Sequence, residues 1–281
     1  MDFLGGQELL QRQSRRISRS VRAVSLRDNR GEIVSHSRSK SGADLSVIIA
    51  CFNEEYTITP MIRDTILELD QTYPGTFELI VVDDGSEDNT LRAAEESAVS
   101  YSNVRVIHLS KNGGKGNAVR EGFLRSTGDI VCLIDGDHEI SPEQIAPAVQ
   151  TLAQNDYDIL IGSKRHRKSH VDYPARRRML SFAYHLFVQI LLGLKVSDSQ
   201  VGLKVFRRGT LETTLPDVSI KRFAFDIELL TLAHEQGFRI GEIPVEINFM
   251  QRYGSNVDLK AILHMFLDTL RVFYRRRIAA Q

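Results

Sequence analysis

Five short apolar runs, each ending in polar or acidic residues, constrain this chain more than any other feature. They are SVIIA (46–50), FELIVVDD (77–84), VRVIHL (104–109), DIVCLIDGD (129–137) and YDILIGS (157–163). Each is rich in β-branched side chains and too short for a typical helix. Helical patterns separate them: one through Leu69, then DNTLRAAEESA (88–98) with Asp88 as N-cap, GKGNAVREGFLRS (114–126), and PEQIAPAVQTLAQ (142–154) with Pro142 in its first turn. Parallel strands need a helix-sized crossover, so this alternation predicts an α/β fold, a mostly parallel central sheet flanked by helices.

The second half reads as more helical. A basic cluster and long apolar helix span 176–196, a short apolar stretch lies in 199–207, and a helix over 221–237 stops at Gly237. FRIGEIPVEINF (238–249) is a strand pair or a strand bent at Pro244, and 258–277 is an amphipathic helix closing in three arginines. The domain organisation expected is a basic, flexible arm over 1–43, a folded α/β domain over 44–257 and a C-terminal amphipathic helix over 258–281.

Bulk composition narrows the function classes. Lys plus Arg and Asp plus Glu both number 36, so overall charge gives no reason to expect a nucleic-acid partner. The exception is the arm, where residues 1–43 hold nine Arg or Lys against four Asp or Glu. Its Arg and Ser content superficially resembles a transit peptide, but Asp2 and Glu8 argue for a plain flexible arm. Cys51 and Cys132 sit in or beside apolar runs with no metal or disulfide spacing, as reduced core residues would. No secretory signal is visible, and the most apolar stretch (179–196) is broken by His185 and Gln189.

Parallel sheets hold ligands at the carboxyl ends of their strands. Here those ends carry FNEE (52–55), DDGS (83–86), DGDHE (135–139) and GSKRH (162–166). Asp135 and Asp137 form a D-x-D pair, suited to a hard divalent cation such as Mg²⁺ or Mn²⁺ shared with a diphosphate. Period-two spacing would put Glu139 on the same face as a third ligand. Asp83 and Asp84 could accept a hydrogen bond from a base or make an Asx turn. KNGGKGNAVREG (111–122) fits neither G-x-x-x-x-G-K-[ST] nor G-x-G-x-x-G, which disfavours a nucleotide hydrolase or a dinucleotide dehydrogenase. Its glycines permit close backbone approach, and Lys115 could meet a phosphate.

In order, FNEE, DDGSEDNT, NGGKGNAVREG, DGDHEISPE, GSKRH, DSQVGLKVFRR, FAFDIELL and EIPVEINFMQRYGSNV resemble family 2 glycosyltransferases of the GT-A fold. More narrowly they resemble the dolichyl-phosphate β-glucosyltransferase and dolichyl-phosphate mannosyltransferase branch. The resemblance covers about residues 45–257 and implies inverting transfer of a hexose from a nucleotide sugar to a polyprenyl phosphate. It implies nucleotide contacts from Glu54, Glu55, Asp83 and Asp84 and a metal held by Asp135 and Asp137; Asn53, Lys115 and Asp135 complete the candidate donor contacts. Glu139 stands where mannosyl members often show Gln. Lys164 and Arg165 fall where the family has an Arg after Gly-Ser, which leaves open which of them meets phosphate. Arg177 matches a basic position before the long helix, and Asp198 and Gln200 match a D-x-Q segment. DSQVGLKVF and FAFDIELL lean towards UDP-glucose, with GDP-mannose the alternative donor.

The acceptor follows from charge. A hydroxyl must lose a proton to a base, whereas a phosphate monoester is ionised and needs only cations to hold it. The basic run Lys164, Arg165, Arg167, Lys168 and residues 176–178 suits a phosphate. Asp137, Asp226 and Arg177 are the candidate catalytic residues, with Asp226 or Glu228 in FDIE the base if the acceptor is a hydroxyl of a glycan or protein. A non-catalytic nucleotide-sugar-binding protein is the remaining rival. Apolar helices flanked by arginines suit peripheral attachment at the cytoplasmic membrane face.

Overall fold

The computed structural model describes residues 26–27, 33–34, 42–171, 175–222, 224–248 and 259–279. Most of the arm expected over 1–43 lies outside the described residues; a two-residue antiparallel ladder pairs Leu26–Arg27 with Ile33–Val34. The first half alternates as its pattern predicts. β1 (Leu45–Cys51), α1 (Ile58–Thr72), β2 (Phe77–Asp83), α2 (Thr90–Ala98), β3 (Val104–His108), α3 (Lys115–Arg125), β4 (Ile130–Asp135), α4 (Ile145–Gln154) and β5 (Ile159–Ser163) follow in order. Then come β6 (His170–Val171), α5 (Ala175–Leu192), β7 (Lys204–Arg207), α6 (Arg208–Thr214), α7 (Phe225–Glu235), β8 (Ile240–Pro244), β9 (Glu246–Ile247) and α8 (Leu259–Ala279).

The central sheet has seven strands in the order β8-β5-β7-β4-β1-β2-β3. All neighbours are parallel except β7, which runs antiparallel to both β4 and β5. The stretch 199–207 therefore contains a central strand that its sequence shows only as a short apolar run. At four residues it is too brief to display a period. Pro244 closes β8, and the chain then bends so that β9 pairs with β6 in a separate ladder. Of the two readings of 238–249, the bent strand is the one formed.

Side-chain alternation along the strands divides the core in two. Val47, Ile49, Cys132 and Ile134 face α1 and α4. Ile48, Val131, Leu133 and Phe206 face α3, α5 and α7. Cys51 and Cys132 are both buried and free of disulfides. Asp88 lies one place outside the cap of α2, whose N-cap is Asn89, yet its Oδ1 accepts from the Thr90 N–H at 3.0 Å. Gly193 and Gly237 end α5 and α7 nearby in left-handed conformations, at φ 66° and 86°. On α5, Tyr184 meets Phe266 of α8 edge to face at 5.1 Å and its hydroxyl lies 2.7 Å from Thr269 Oγ1. Among the described residues no helix is long and apolar enough to cross a membrane.

The site-bearing helix α3 lies close on the sheet because Gly122 has no side chain. A Cβ there would come within 2.6 Å of Ile48 Cγ2 and 3.1 Å of Val82 Cγ2. Gly122→Leu is expected to destabilise the fold by roughly 1–3 kcal/mol through overpacking, read as a lower urea midpoint with little change in slope. Leu124→Gln on the exposed side of the same helix is the control and should shift the midpoint little.

Candidate active site

The carboxyl ends of β1, β2 and β4 open on a cleft of about 520 Å³. Phe52 and Glu54, Asp84, Asn112 and Lys115, Asp135 and Asp137, and Arg222 all line it. The loops after β1 and β2 clasp each other. Asn53 adopts φ 56°, an angle asparagine tolerates. Its N–H donates to Ser86 Oγ and its Oδ1 accepts from the Glu87 N–H, both at 2.9 Å. Glu55 Oε2 accepts from Asn89 N–H at 3.2 Å and Nδ2 at 3.0 Å. Asn53 and Glu55 thus hold loop to loop, while Glu54 reaches the cleft.

The adjacent acids after β2 divide in the same way. Asp83 is fully buried, accepts from the Ser86 N–H and hydroxyl, and meets His108 Nδ1 at 2.7 Å. It is absent from the cleft wall. Asp84 accepts from the Gly113 and Gly114 N–H groups at 2.9 and 2.7 Å, tying the glycine loop to β2. Gly114 has φ 90°, and a Cβ on it would lie 2.4 Å from Lys221 O. The loop glycines thus let the start of α3 meet the segment leading into α7.

That close approach assembles a line of alternating charges. Lys115 Nζ, on the first residue of α3, lies 2.6 Å from Asp135 Oδ1 and 3.4 Å from Asp226 Oδ2. Asp226 Oδ1 in turn lies 3.1 Å from Lys204 Nζ, which also donates to Val201 O at 2.5 Å. Lys204 and Asp226 are buried. Burial pulls the Lys115 ammonium down, but Asp135 and Asp226 outweigh it and the net shift is upward. Burial likewise opposes the Asp226 carboxylate, yet Lys115 and then Lys204 hold it below the usual carboxylate range. For Lys204 burial wins, and its ammonium sits below the ordinary lysine value despite Asp226. Glu228, the other acid of FDIE, accepts from Ser219 N–H at 2.9 Å and Ile220 N–H at 2.7 Å, and Arg275 reaches it at 3.2 Å.

The period-two face expected at 135, 137 and 139 does not form. β4 ends at Asp135, Gly136 turns the chain, and His138 takes φ 56°. Asp137 Oδ1 accepts from the Glu139 N–H at 3.0 Å, an Asx-type turn in place of extended backbone. Asp135 and Asp137 face the cleft, and Glu139 does not line it. Among the described residues no three His, Cys, Asp or Glu side chains converge as a ready-made metal cage. The pair nevertheless fits a hard cation. Burial first, then Asp135 and Glu139, push the Asp137 carboxyl up to about 7, a mark of negative charge lacking an adequate counter-charge.

Beside the cleft, Lys164 Nζ lies 3.7 Å from Asp198 Oδ2, and its N–H donates to the same oxygen at 3.3 Å. The Arg165 guanidinium sits 5.6 Å from the centre of the Phe182 ring. Gln200 Nε2 donates to Met265 Sδ at 3.3 Å. Arg177 falls on α5, but its side chain lies outside the described residues. Lys204, Asn112, Arg222 and His108 emerge only from the fold. For Lys204 one signal existed, a lone lysine inside the apolar run LKVF, which a central strand can bury only opposite an acid.

The family Glycosyl transferase family 2 matches residues 46–215. A dolichyl-phosphate beta-glucosyltransferase of Dictyostelium discoideum is 31% identical over 245 residues, covering 82% of this chain and 74% of that protein. One of Homo sapiens is 32% identical over 245 residues, covering 82% and 75%. Among solved structures, glucosyl-3-phosphoglycerate synthase of Mycobacterium tuberculosis in complex with UDP aligns with a TM-score of 0.63 at 22% identity, covering 84% of this chain and 81% of that one. A complex of the same enzyme with Mn²⁺, UDP and phosphoglyceric acid aligns with a TM-score of 0.63 at 21% identity, covering 84% and 79%. The sheet and its helices are thus those of the GT-A glycosyltransferases, and the chain belongs to glycosyl transferase family 2.

Proposed function

We propose that this glycosyltransferase moves a hexose, with inversion, from a nucleotide sugar to a polyprenyl phosphate of the dolichyl class, UDP-glucose being the donor. The observation that carries the reading is the state of its acids. Asp226 is ion-paired to two lysines that hold its carboxyl below the usual range and make it a weak base, and Glu228 is engaged by backbone N–H groups and Arg275, so neither is poised to take a proton from a hydroxyl. An acceptor that arrives already charged needs no base. Relatives at 31% and 32% identity named for dolichyl phosphate and glucose support the acceptor and the sugar, and the UDP in the M. tuberculosis enzyme supports the nucleotide.

In this reading the diphosphate lies across the cleft mouth between Asp135, Asp137, Lys115 and Arg222. Asp135 and Asp137 would hold Mg²⁺ or Mn²⁺, which supplies charge neutralisation for the departing nucleotide diphosphate. Glu54 and Asp84 flank the nucleotide end. Lys164 and Arg165, which follow β5, steer the acceptor phosphate towards the anomeric carbon from the face opposite the leaving group.

The lipid acceptor places the enzyme at a membrane surface. On α5, Phe182, Leu186 and Ile190 recur every four residues and are 57%, 45% and 76% exposed, an apolar ridge beside Arg165.

A transfer assay tests the acceptor and donor together. With Mn²⁺ or Mg²⁺, glucose from UDP-glucose is expected to reach a short polyprenyl phosphate and not the corresponding polyprenol. Transfer to the alcohol alone would reject the phosphate reading, and preference for GDP-mannose would reject the donor. Asp137→Asn should lower turnover by at least about 100-fold. A raised carboxyl pKa makes the fold bind more protons than the unfolded chain between the ordinary carboxylate value and about 7, so ionising Asp137 above that range costs stability. Without added metal at pH 8, Asp137→Asn is therefore expected to raise the melting temperature by about 2–4 °C, the shift for ~1 kcal/mol at this size. Metal must displace that proton, so Mn²⁺ affinity should fall about tenfold per pH unit below 7, seen by calorimetry.

A further inference from the structure

The position of Lys115 carries a consequence for how the acid pair takes up its cation. Its Nζ is 2.6 Å from Asp135 Oδ1, and both residues line the cleft, so the ammonium stands where a divalent ion on that carboxylate would meet its charge. It is also 3.4 Å from Asp226 Oδ2, a second carboxylate oxygen that Lys204 does not occupy, since Lys204 sits at 3.1 Å on Oδ1. A move of under about one ångström would turn the longer contact into a full charge-assisted hydrogen bond. Asp226 itself is buried and pinned by Lys204, so it offers a fixed anchor.

We propose that Lys115 is a resident counter-ion of the acid pair that hands Asp135 over to the divalent cation by shifting its ammonium onto Asp226, with Lys204 acting as the positioning residue that holds Asp226 ready to receive it. In the metal-free protein the ammonium keeps Asp135 neutralised. When the cation binds, it and the ammonium repel each other across the shared carboxylate, and Asp226 Oδ2, already 3.4 Å from the ammonium, gives it a place to go without leaving the site. The lysine stays protonated throughout and ends beside the diphosphate. The inference rests on the reading that Asp135 and Asp137 hold Mg²⁺ or Mn²⁺.

The test is a thermodynamic cycle on Mn²⁺ affinity, measured by calorimetry or Mn²⁺ electron paramagnetic resonance in the presence of UDP, with no turnover involved. Lys115→Met removes the competitor and should tighten Mn²⁺ binding. Asp226→Asn removes the receiving carboxylate, strands the lysine on Asp135 and should weaken Mn²⁺ binding roughly tenfold, within the range of couplings between groups that share a partner. In the Lys115→Met background the same Asp226→Asn change should weaken it less than about twofold. Equal weakening in both backgrounds would mean that Asp226 acts only through its field, and the handover would be wrong. If Asp226→Asn does not fold because Lys204 is left buried without its acid, the paired change Asp226→Asn with Lys204→Met removes both charges and completes the same cycle. Failure of the unaltered protein to bind Mn²⁺ at all, with UDP present, would overturn the metal reading and the handover with it.

Discussion

The alternating line Asp135, Lys115, Asp226, Lys204 is the interaction on which the cleft depends. Its four members come from β4, α3, α7 and β7, so no two share an element. Lys204 and Asp226 are buried, and an isolated ion at such a depth costs several kcal/mol. Together they are tolerable, because each carboxylate oxygen of Asp226 has its own ammonium. The reversed direction of β7 makes this geometry available. A strand antiparallel to β4 begins at the rim where β4 ends, so its first residue, Lys204, pairs with Leu133 two residues before Asp135. A seventh parallel strand would place that residue at the opposite edge of the sheet.

Absent side chains matter as much as charged ones. A Cβ on Gly202 would meet Asp135 Oδ2 at 2.7 Å, and one on Gly116 would meet the Phe225 ring at 2.4 Å. These two glycines let the segment before β7 and the start of α7 close on the acid pair from either side. Lys115 stands beside Gly116, and Asp226 beside Phe225, so the packing that brings α3 against α7 also sets the distance between their charges. Packing on the face of the sheet and electrostatics at its end are one constraint.

Much of this was legible in the sequence. The five apolar runs gave their strands and the D-x-D pair its place at a strand end, whereas the tie between the glycine loop and Asp84 emerges only from the fold. What failed was extrapolation of a period across a turn. DGDHE looks extended because its acids alternate, but Gly136 and a left-handed His138 break the strand after Asp135. Sequence also could not separate acids that build the site from acids that face it. Asp83 and Asp84 are adjacent and chemically alike, yet Asp83 is taken by His108 and Ser86 while Asp84 reaches the cleft. That distinction depends on His108 and Gly114, 25 and 30 residues away along the chain, which no local pattern encodes. Lys204 was hidden for a related reason, since its meaning lies in an acid 22 positions later on helix α7.

The arrangement also bears on why a charged acceptor suits this scaffold. A general base must be neutralised and released once per turnover, so it needs a carboxylate whose pKa lies near the working pH and whose proton can leave. Asp226 is flanked by two ammonium groups that hold its carboxyl below the usual carboxylate range against its burial, and its value to the protein is as negative charge between them. The Asp137 carboxyl is pushed up first by burial and then by Asp135 and Glu139, and a cation held by the pair would offset the carboxylate part of that shift. A site that uses its acids to hold cations leaves none for proton abstraction. The proposed phosphate acceptor carries its own negative charge, and Lys164 and Arg165, which follow β5, would be its complement.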